Sequence, residues 1–158
     1  MNKSSKLFPG SRKLNIFLAE DDKEDCDLFK EALDELEIAS TVTIFADGEQ
    51  LVKQLTRKRS KLPDVLFLDL NMPRKNGFAT LGAIKRNEKL DQIPVIILSS
   101  AHEDFSASQV FSDAAHYYIR KPSEFAELKK LISKALTLTL TGNNPLPLKA
   151  DFILNSDL

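Results

Sequence analysis

Short apolar runs alternate along the chain with segments in which apolar residues recur every three or four positions. Most of the runs lack polar alternation, which is typical of strands covered on both faces in a parallel sheet. The second run is rich in β-branched residues, which favour strands. We therefore predict strands over residues 14–19, 41–45, 65–68, 95–98 and 116–119.

The segments between the runs space their apolar residues as on one face of a helix. Helices are predicted to begin at Lys23, after Asp47, at Gly77, at Asp104 and after Ser123. Asp47 and Ser123 are the expected N-caps. Five strand–helix units in this order predict an α/β fold with a parallel sheet, right-handed crossovers and helices on both faces.

The length and the turn residues predict one domain with two terminal segments. A chain of 158 residues can bury a substantial single core. Residues 1–12 are predicted to be a flexible lead, residues 13–138 the domain, and residues 139–158 a C-terminal tail. The apolar cluster 152–154 leaves three alternatives: it docks on its own domain, it docks on a second copy in a homodimer, or it is disordered.

Composition excludes several classes of protein. The chain has 22 Lys and Arg residues against 23 Asp and Glu, and this net charge of -1 gives no basic footprint for nucleic acid. No apolar run reaches the length of a membrane span, and the N-terminus lacks the apolar core of a secretory signal. We expect a cytoplasmic protein that binds neither nucleic acid nor membranes.

Charged or reactive side chains follow four of the five predicted strands. The clearest case is the stretch 62–77, LPDVLFLDLNMPRKNG, in which a buried strand runs into a lone carboxylate before the chain turns. Because parallel strands place their carboxyl ends at one edge of the sheet, these side chains can converge in one crevice. They are Glu20, Asp21, Asp22, Asp69, Ser99 and Lys121.

This set of side chains indicates phosphoryl chemistry. Carboxylate oxygens suit Mg²⁺, together with backbone carbonyls, waters and phosphate oxygens. A carboxylate beside such a metal can attack a phosphoryl group and form an aspartyl phosphate, while a lysine and a hydroxyl neutralise the transferred oxygens. Each residue also has a structural alternative, since acids cap helices, Ser99 can close a turn, and Lys121 can form a surface ion pair.

Four motifs in this order, LAEDD, LFLDLNMPRKNG, VIILSS and YIRKP, closely resemble those of receiver domains of bacterial two-component response regulators. The resemblance covers residues 13–138 and implies the flavodoxin-like (βα)5 fold with strand order 2-1-3-4-5. The chain looks most like stand-alone receivers of the chemotaxis type or those that partner phytochrome-type sensor kinases. One departure precedes the fifth strand, where the family usually has glycine and this chain has Ala114-Ala115.

The resemblance implies roles in phosphoryl transfer and switching. Asp69 matches the phospho-accepting aspartate, and Lys121 matches the lysine that reaches the phosphoryl group. Ser99 matches the hydroxyl residue that hydrogen-bonds this group. Tyr118 matches the aromatic residue whose rotation reports phosphorylation, so Ser99 and Tyr118 would form the switch.

The resemblance also implies a Mg²⁺ site. Glu20 and Asp21 match the acidic pair that helps to hold the metal, although a shift of one residue would make that pair Asp21 and Asp22. Asp69 would be a further ligand. Asn71 matches the position that gives its backbone carbonyl to the metal.

Together these features predict a phosphorylation switch. The phosphoryl donor would be a sensor histidine kinase or a histidine phosphotransfer protein, and the output would be binding to a downstream protein. Enzymatic activity would be limited to self-phosphorylation from small donors and autodephosphorylation. Two alternatives stay open: a receiver-fold interaction module that is not phosphorylated, and an aspartate-nucleophile phosphohydrolase, which would need a second Asp at the position of Asn71.

Overall fold

Five parallel strands form the centre of the molecule. The computed structural model describes residues 13–72, 74–100, 104–141 and 146–155, and for residues 104–106 it describes only the backbone. The strands in these ranges are β1 (Leu14–Ala19), β2 (Ser40–Phe45), β3 (Val65–Asp69), β4 (Val95–Ser99) and β5 (Tyr117–Arg120). They form one sheet in the order β2-β1-β3-β4-β5. The predicted strands and the predicted order are confirmed.

Helices cover both faces of this sheet. Those in the described residues are α1 (Lys23–Glu35), α2 (Gly48–Leu55), α3 (Gly77–Lys85), α4 (Asp104–Ser112), α5 (Phe125–Leu140) and the single turn α6 (Lys149–Phe152). Helices α1 and α5 pack on one face, whereas α2, α3 and α4 pack on the other. None of the helices within the described ranges is both long enough and apolar enough to cross a membrane.

The two central strands explain why polar alternation disappears from the sequence. In β3, Leu66 and Leu68 belong to the core under α2, α3 and α4, while Val65 and Phe67 belong to the core under α1 and α5. All four are fully buried. Both faces of the strand therefore need apolar side chains, as expected for the middle of a parallel sheet covered by helices.

Of the two helix caps predicted from the sequence, one is present in the structure and the other is not. The carboxylate of Asp47 accepts the backbone N–H of Gln50 at 2.8 Å, so the predicted cap of α2 is confirmed. The predicted cap at Ser123 is wrong. The residue before α5 is Glu124, whose backbone is extended and whose carbonyl accepts the N–H of Leu128, with no capping bond from its side chain.

The turn before β5 holds an alanine in a conformation that favours glycine. Ala114 has a φ of 67°, in the left-handed region where a Cβ atom clashes with the backbone. Its N–H donates to the carbonyl of Phe111, and the N–H of Ala115 donates to the carbonyl of Val110, so the turn closes α4 tightly. The backbone keeps the geometry of a glycine turn at a cost of about 1 kcal/mol.

The C-terminal segment returns to the free edge of the sheet beside β5. Ile153 forms a parallel bridge with Tyr118, and the N–H of Leu154 donates to the Tyr118 carbonyl at 2.9 Å. The ring of Phe152 lies 5.1 Å from that of Phe111 and 6.0 Å from that of Tyr118. Because Phe152 is only 2 % exposed, the apolar cluster of the tail is covered by its own domain here.

We expect Phe152→Ala to lower the free energy of unfolding by about 3 kcal/mol, because the substitution removes a buried ring from the core. The control is Leu148→Ala, since Leu148 in the same segment is 76 % exposed and should contribute little. Urea denaturation followed by circular dichroism measures both values. Equal stabilities for the two variants would contradict the docked arrangement of the tail.

Candidate functional site

The carboxyl edge of the sheet brings together the ends of four strands. Asp69 is the last residue of β3 and Ser99 the last residue of β4, while Glu20 follows β1 and Lys121 follows β5. The N–H of Lys121 donates to the Ser99 carbonyl at 2.8 Å, which fixes the end of β5 against β4. The convergence expected from parallel strands is therefore present in the structure.

Asp69 is a buried carboxylate held by the loop that follows it. It is 3 % exposed, and its Oδ1 accepts the N–H of Asn71 at 3.1 Å. The N–H of Gly77 donates to the carbonyl of Leu70, and a Cβ atom at Gly77 would lie only 2.5 Å from the carbonyl oxygen of Asp69. Glycine is thus needed at 77 because the start of α3 approaches the strand end so closely.

Lys121 links three carboxylates at this edge. Its Nζ lies 2.6 Å from Oε1 of Glu20, 3.0 Å from Oδ2 of Asp25 and 3.6 Å from Oδ2 of Asp69. The lysine side chain is 19 % exposed, so these ion pairs are partly shielded from solvent. Glu20 and Asp69 are buried and require a cationic partner, because an unpaired charge in the interior is strongly destabilising.

Three carboxylates form an acidic cluster beside the lysine. One oxygen each from Glu20, Asp21 and Asp69 lie within 4.8 Å of one another. The first and third are buried, while Asp21 is exposed. Asp22 has a different role, since its carboxylate accepts the N–H of Asp25 at 3.0 Å and caps α1. In the structure, Asp69 therefore lies with Glu20 and Asp21, whereas Asp22 is the N-cap of α1.

The donor set of this cluster fits a hard divalent cation. Carboxylate oxygens are the preferred protein ligands of Mg²⁺, and Mn²⁺ accepts the same donors. The cluster holds three carboxylates, of which Glu20 and Asp69 lie near the Lys121 ammonium, so a divalent cation would offset negative charge that the lysine leaves uncompensated. The N–H of Asn71 is turned to Asp69. The use of its carbonyl as a metal ligand stays a prediction.

Burial changes the proton affinity of two groups in the site. Burial and a hydrogen bond with Asp69 raise the pKa of Glu20 to about 7, although the ammonium of Lys121 opposes the shift. Burial alone would lower the pKa of Lys121, but hydrogen bonds to Glu20 and Asp25 raise it above its usual value. The lysine therefore keeps its charge at neutral pH, whereas the Glu20 carboxyl group binds a proton more readily than an ordinary glutamate.

The two predicted switch residues lie deep in the sheet. Ser99 and Tyr118 are both fully buried. The Tyr118 ring belongs to the core on the α4 side and contacts Phe152, and its hydroxyl has no hydrogen-bond partner among the described residues. A buried hydroxyl without a partner is costly, by about 1–3 kcal/mol. The tyrosine is thus an inward-facing side chain rather than one at the rim.

Two contacts of the site were absent from the sequence prediction. Asp25 lies in the first turn of α1, where the helix dipole favours acids in any case, and its carboxylate is 3.0 Å from the Lys121 ammonium. The contact of Phe152 with Tyr118 was also not foreseen. One feature of the sequence could have indicated that Asp25 is near the site. It lies in the first turn of the helix that begins at this edge of the sheet.

Comparison with known proteins identifies the family. The model of the response regulator receiver domain matches residues 16–133, which is most of the chain. The chain belongs to this family. The response regulator Rcp1 of Synechocystis sp. is 31% identical over 121 residues, which cover 74% of this chain and 82% of Rcp1. The probable methanogenesis regulatory protein FilR2 of Methanothrix harundinacea is 29% identical over 122 residues, 75% of this chain and 79% of FilR2.

Solved structures of response regulators have the same fold. The phosphorylated cyanobacterial phytochrome response regulator RcpA superposes with a TM-score of 0.75 at 29% identity, covering 87% of this chain and all of RcpA. The Mn²⁺-bound form of Rcp1 superposes with a TM-score of 0.74 at 29% identity, covering 85% of this chain and 99% of Rcp1. The receiver fold and the assignment to two-component signalling are thereby confirmed.

We expect divalent-metal affinity to depend on pH through Glu20. Below pH 7 the metal must displace a proton from this carboxyl group, so the apparent affinity for Mn²⁺ should fall about tenfold from pH 8 to pH 6. Calorimetric titration at several pH values measures the dependence. Glu20→Gln should bind more weakly and lose the dependence.

The control for this titration is Glu24→Gln, which removes a carboxylate at an exposed position of α1 outside the acidic cluster. Glu24→Gln should keep the tenfold change in affinity. A wild-type affinity that stays constant between pH 6 and pH 8 would contradict the raised pKa of Glu20.

Proposed function

We propose that this protein is a phosphorylation switch in which Asp69 accepts a phosphoryl group from a phosphohistidine of a sensor histidine kinase or a histidine phosphotransfer protein. The observation that carries the proposal is the position of the Asp69 carboxylate. It is buried at the end of β3, with the Lys121 ammonium 3.6 Å away and two further carboxylates beside it. A buried nucleophile next to a fixed cation and a metal-type donor set suits phosphoryl transfer.

The acidic cluster is the proposed binding site for Mg²⁺. Glu20, Asp21 and Asp69 would supply carboxylate oxygens, and Asn71 would supply its backbone carbonyl. When bound, the cation supplies positive charge that stabilises the oxygens of the phosphoryl group during transfer. The Mn²⁺-bound structure of Rcp1 supports this assignment, because Rcp1 is similar to this chain over most of its length.

In the proposed transfer, a carboxylate oxygen of Asp69 forms a bond to phosphorus as the bond from phosphorus to the donor imidazole nitrogen breaks. The electron pair of the broken bond stays on that nitrogen. The N–H of Asn71 already holds the other carboxylate oxygen, Oδ1, and so orients the nucleophile. The ammonium of Lys121 and the hydroxyl of Ser99 would donate hydrogen bonds to the oxygens of the transferred group.

The proposed output is a change of the packing around Ser99 and Tyr118. A bond from Ser99 to the phosphoryl group would draw the end of β4 inward and change the space available to the Tyr118 ring. The buried Tyr118 hydroxyl, which has no hydrogen-bond partner within the part of the chain that the structure describes, supports a second position for this side chain. Such a two-state element is what a phosphorylation switch needs in order to alter protein binding.

The partners of the switch are proposed from the family and from similar proteins. Receiver domains of response regulators act between histidine kinases and downstream targets. RcpA, a phytochrome response regulator, was solved in a phosphorylated form and is similar to this chain. A phytochrome-type or other sensor kinase is therefore the proposed donor, and a downstream protein is the proposed target.

The phosphohydrolase alternative is disfavoured by Asn71. An aspartate-nucleophile hydrolase needs a carboxyl group two residues after the nucleophile as its general acid and base. An amide cannot exchange a proton in this way. The remaining alternative is an interaction module that is not phosphorylated. The mass measurement described next distinguishes it from the proposed switch.

We expect acetyl phosphate with Mg²⁺ to add one phosphoryl group to the intact protein, because the buried Asp69 carboxylate is the nucleophile. Intact-protein mass spectrometry measures the gain. Asp69→Asn should abolish it, and omission of Mg²⁺ should reduce it strongly.

The matched control is Asp47→Asn. Asp47 is as buried as Asp69 but caps α2 and does not belong to the acidic cluster, so this variant should still gain the phosphoryl mass. A folded wild-type protein with no mass gain would support the unphosphorylated module instead. A gain that survives Asp69→Asn would place the acceptor elsewhere.

A further inference from the structure

Lys121 has one partner that the receiver pattern does not explain. Its Nζ is 3.0 Å from Oδ2 of Asp25, which extends from the first turn of α1. The other two partners, Glu20 and Asp69, belong to the acidic cluster proposed for the metal. Asp25 does not belong to that cluster, so its contact with the lysine needs a separate explanation.

Helix capping does not account for the position of the Asp25 side chain. An acid at the third helical position can cap by accepting the N–H of the residue before the helix. Here the N–H of Asp22 is directed to Oε2 of Glu20 at 3.3 Å instead. The N–H of Asp25 itself is satisfied by the Asp22 carboxylate. The Asp25 carboxylate is therefore available for Lys121.

We propose that Asp25 is a positioning residue for Lys121: its carboxylate holds the ammonium group at the edge of the site with one N–H left for a phosphoryl oxygen on Asp69. This inference rests on the proposed function of Asp69. It adds to that function a residue that acts through the lysine and does not touch the phosphoryl group.

The number of donors on the ammonium group supports this arrangement. A lysine has three N–H groups, and Glu20 and Asp25 take two of them at hydrogen-bond distance. Asp69 at 3.6 Å is the next acceptor but is too far for a hydrogen bond. A phosphoryl group on Asp69 would extend oxygens beyond the carboxylate, so the third N–H could reach one without loss of the other two bonds.

The two anchors of the lysine are not equivalent. Glu20 also faces the proposed metal, so its carboxylate would be shared between the cation and Lys121. Asp25 is half-buried, with 38 % of its side chain exposed, and it serves the lysine without that competition. Because a free lysine side chain samples many rotamers, an anchor that persists in the metal-bound site reduces the conformational entropy lost when the phosphoryl group is bound.

The test compares Asp25→Asn with Glu24→Gln, which removes the same charge from the same helix turn at an exposed position. With Mg²⁺ present, Asp25→Asn should weaken beryllofluoride binding and slow phosphorylation by acetyl phosphate, each by about threefold to tenfold. Glu24→Gln should stay within about twofold of wild type. Asp25→Glu should recover most of the loss, because it restores the carboxylate.

A second readout follows the lysine directly in the metal-free protein. In ¹H–¹⁵N spectra of lysine ammonium groups, the Lys121 protons should exchange with water faster in Asp25→Asn than in wild type. Lys85 is the internal control, since its Nζ donates to the carbonyl of Asp91 far from the substitution and should not change.

The outcomes separate this inference from the proposed function. Wild-type protein that binds no beryllofluoride and gains no phosphoryl group contradicts the proposed function and this inference together. Wild-type protein that does both, with Asp25→Asn equal to or tighter than wild type, contradicts the positioning role alone. An equal loss in Glu24→Gln would assign the effect to helix charge and would also overturn the inference.

Discussion

The Lys121 ammonium lies among carboxylates that reach it from three different parts of the fold. Glu20 comes from the end of β1, Asp25 from α1 and Asp69 from β3, while the lysine itself follows β5. Removing a partner from a buried ion pair typically costs about 3–5 kcal/mol, because the remaining charge stays desolvated. The ammonium of Lys121 is therefore what stabilises the two buried acids of the cluster, Glu20 and Asp69, at the carboxyl edge of the sheet.

The sheet topology is what makes that contact feasible. Parallel pairing puts every strand end at the same edge, and the order β2-β1-β3-β4-β5 places β1 beside β3 in the middle. Apolar side chains on both faces of β3 and β4 keep those strands rigid and dry. A rigid, apolar base holds Asp69 and Ser99 in place while the loops above them carry the exposed members of the site, such as Asp21.

The strands, their order and the meeting of side chains at the carboxyl edge could be predicted from the sequence, because these depend on local patterns. Four motifs at strand ends were enough to predict that Asp69 and Lys121 lie close together. Asp21 and Asp22 could not be separated, because both precede α1, and the distinction depends on which of the two caps the helix. The cap at Ser123 failed for a similar reason, since α5 starts at Phe125 and leaves the serine outside its first turn.

Contacts between distant segments were beyond sequence reasoning. Asp25 and Lys121 are 96 residues apart, and no periodicity reports the distance between the first turn of α1 and the end of β5. The apolar cluster of the tail was evident as a cluster, but its partner was not. Its packing on Tyr118 depends on the length and the path of the chain after α5.

The most direct test of the account is a crystal structure of the protein with Mg²⁺ and beryllofluoride. We expect beryllium bonded to a carboxylate oxygen of Asp69, with the cation on Glu20, Asp21 and Asp69 and with Lys121 donating to a fluoride. Beryllofluoride bound elsewhere, or an Asp69 carboxylate left unmodified beside an unmoved Lys121, would contradict it.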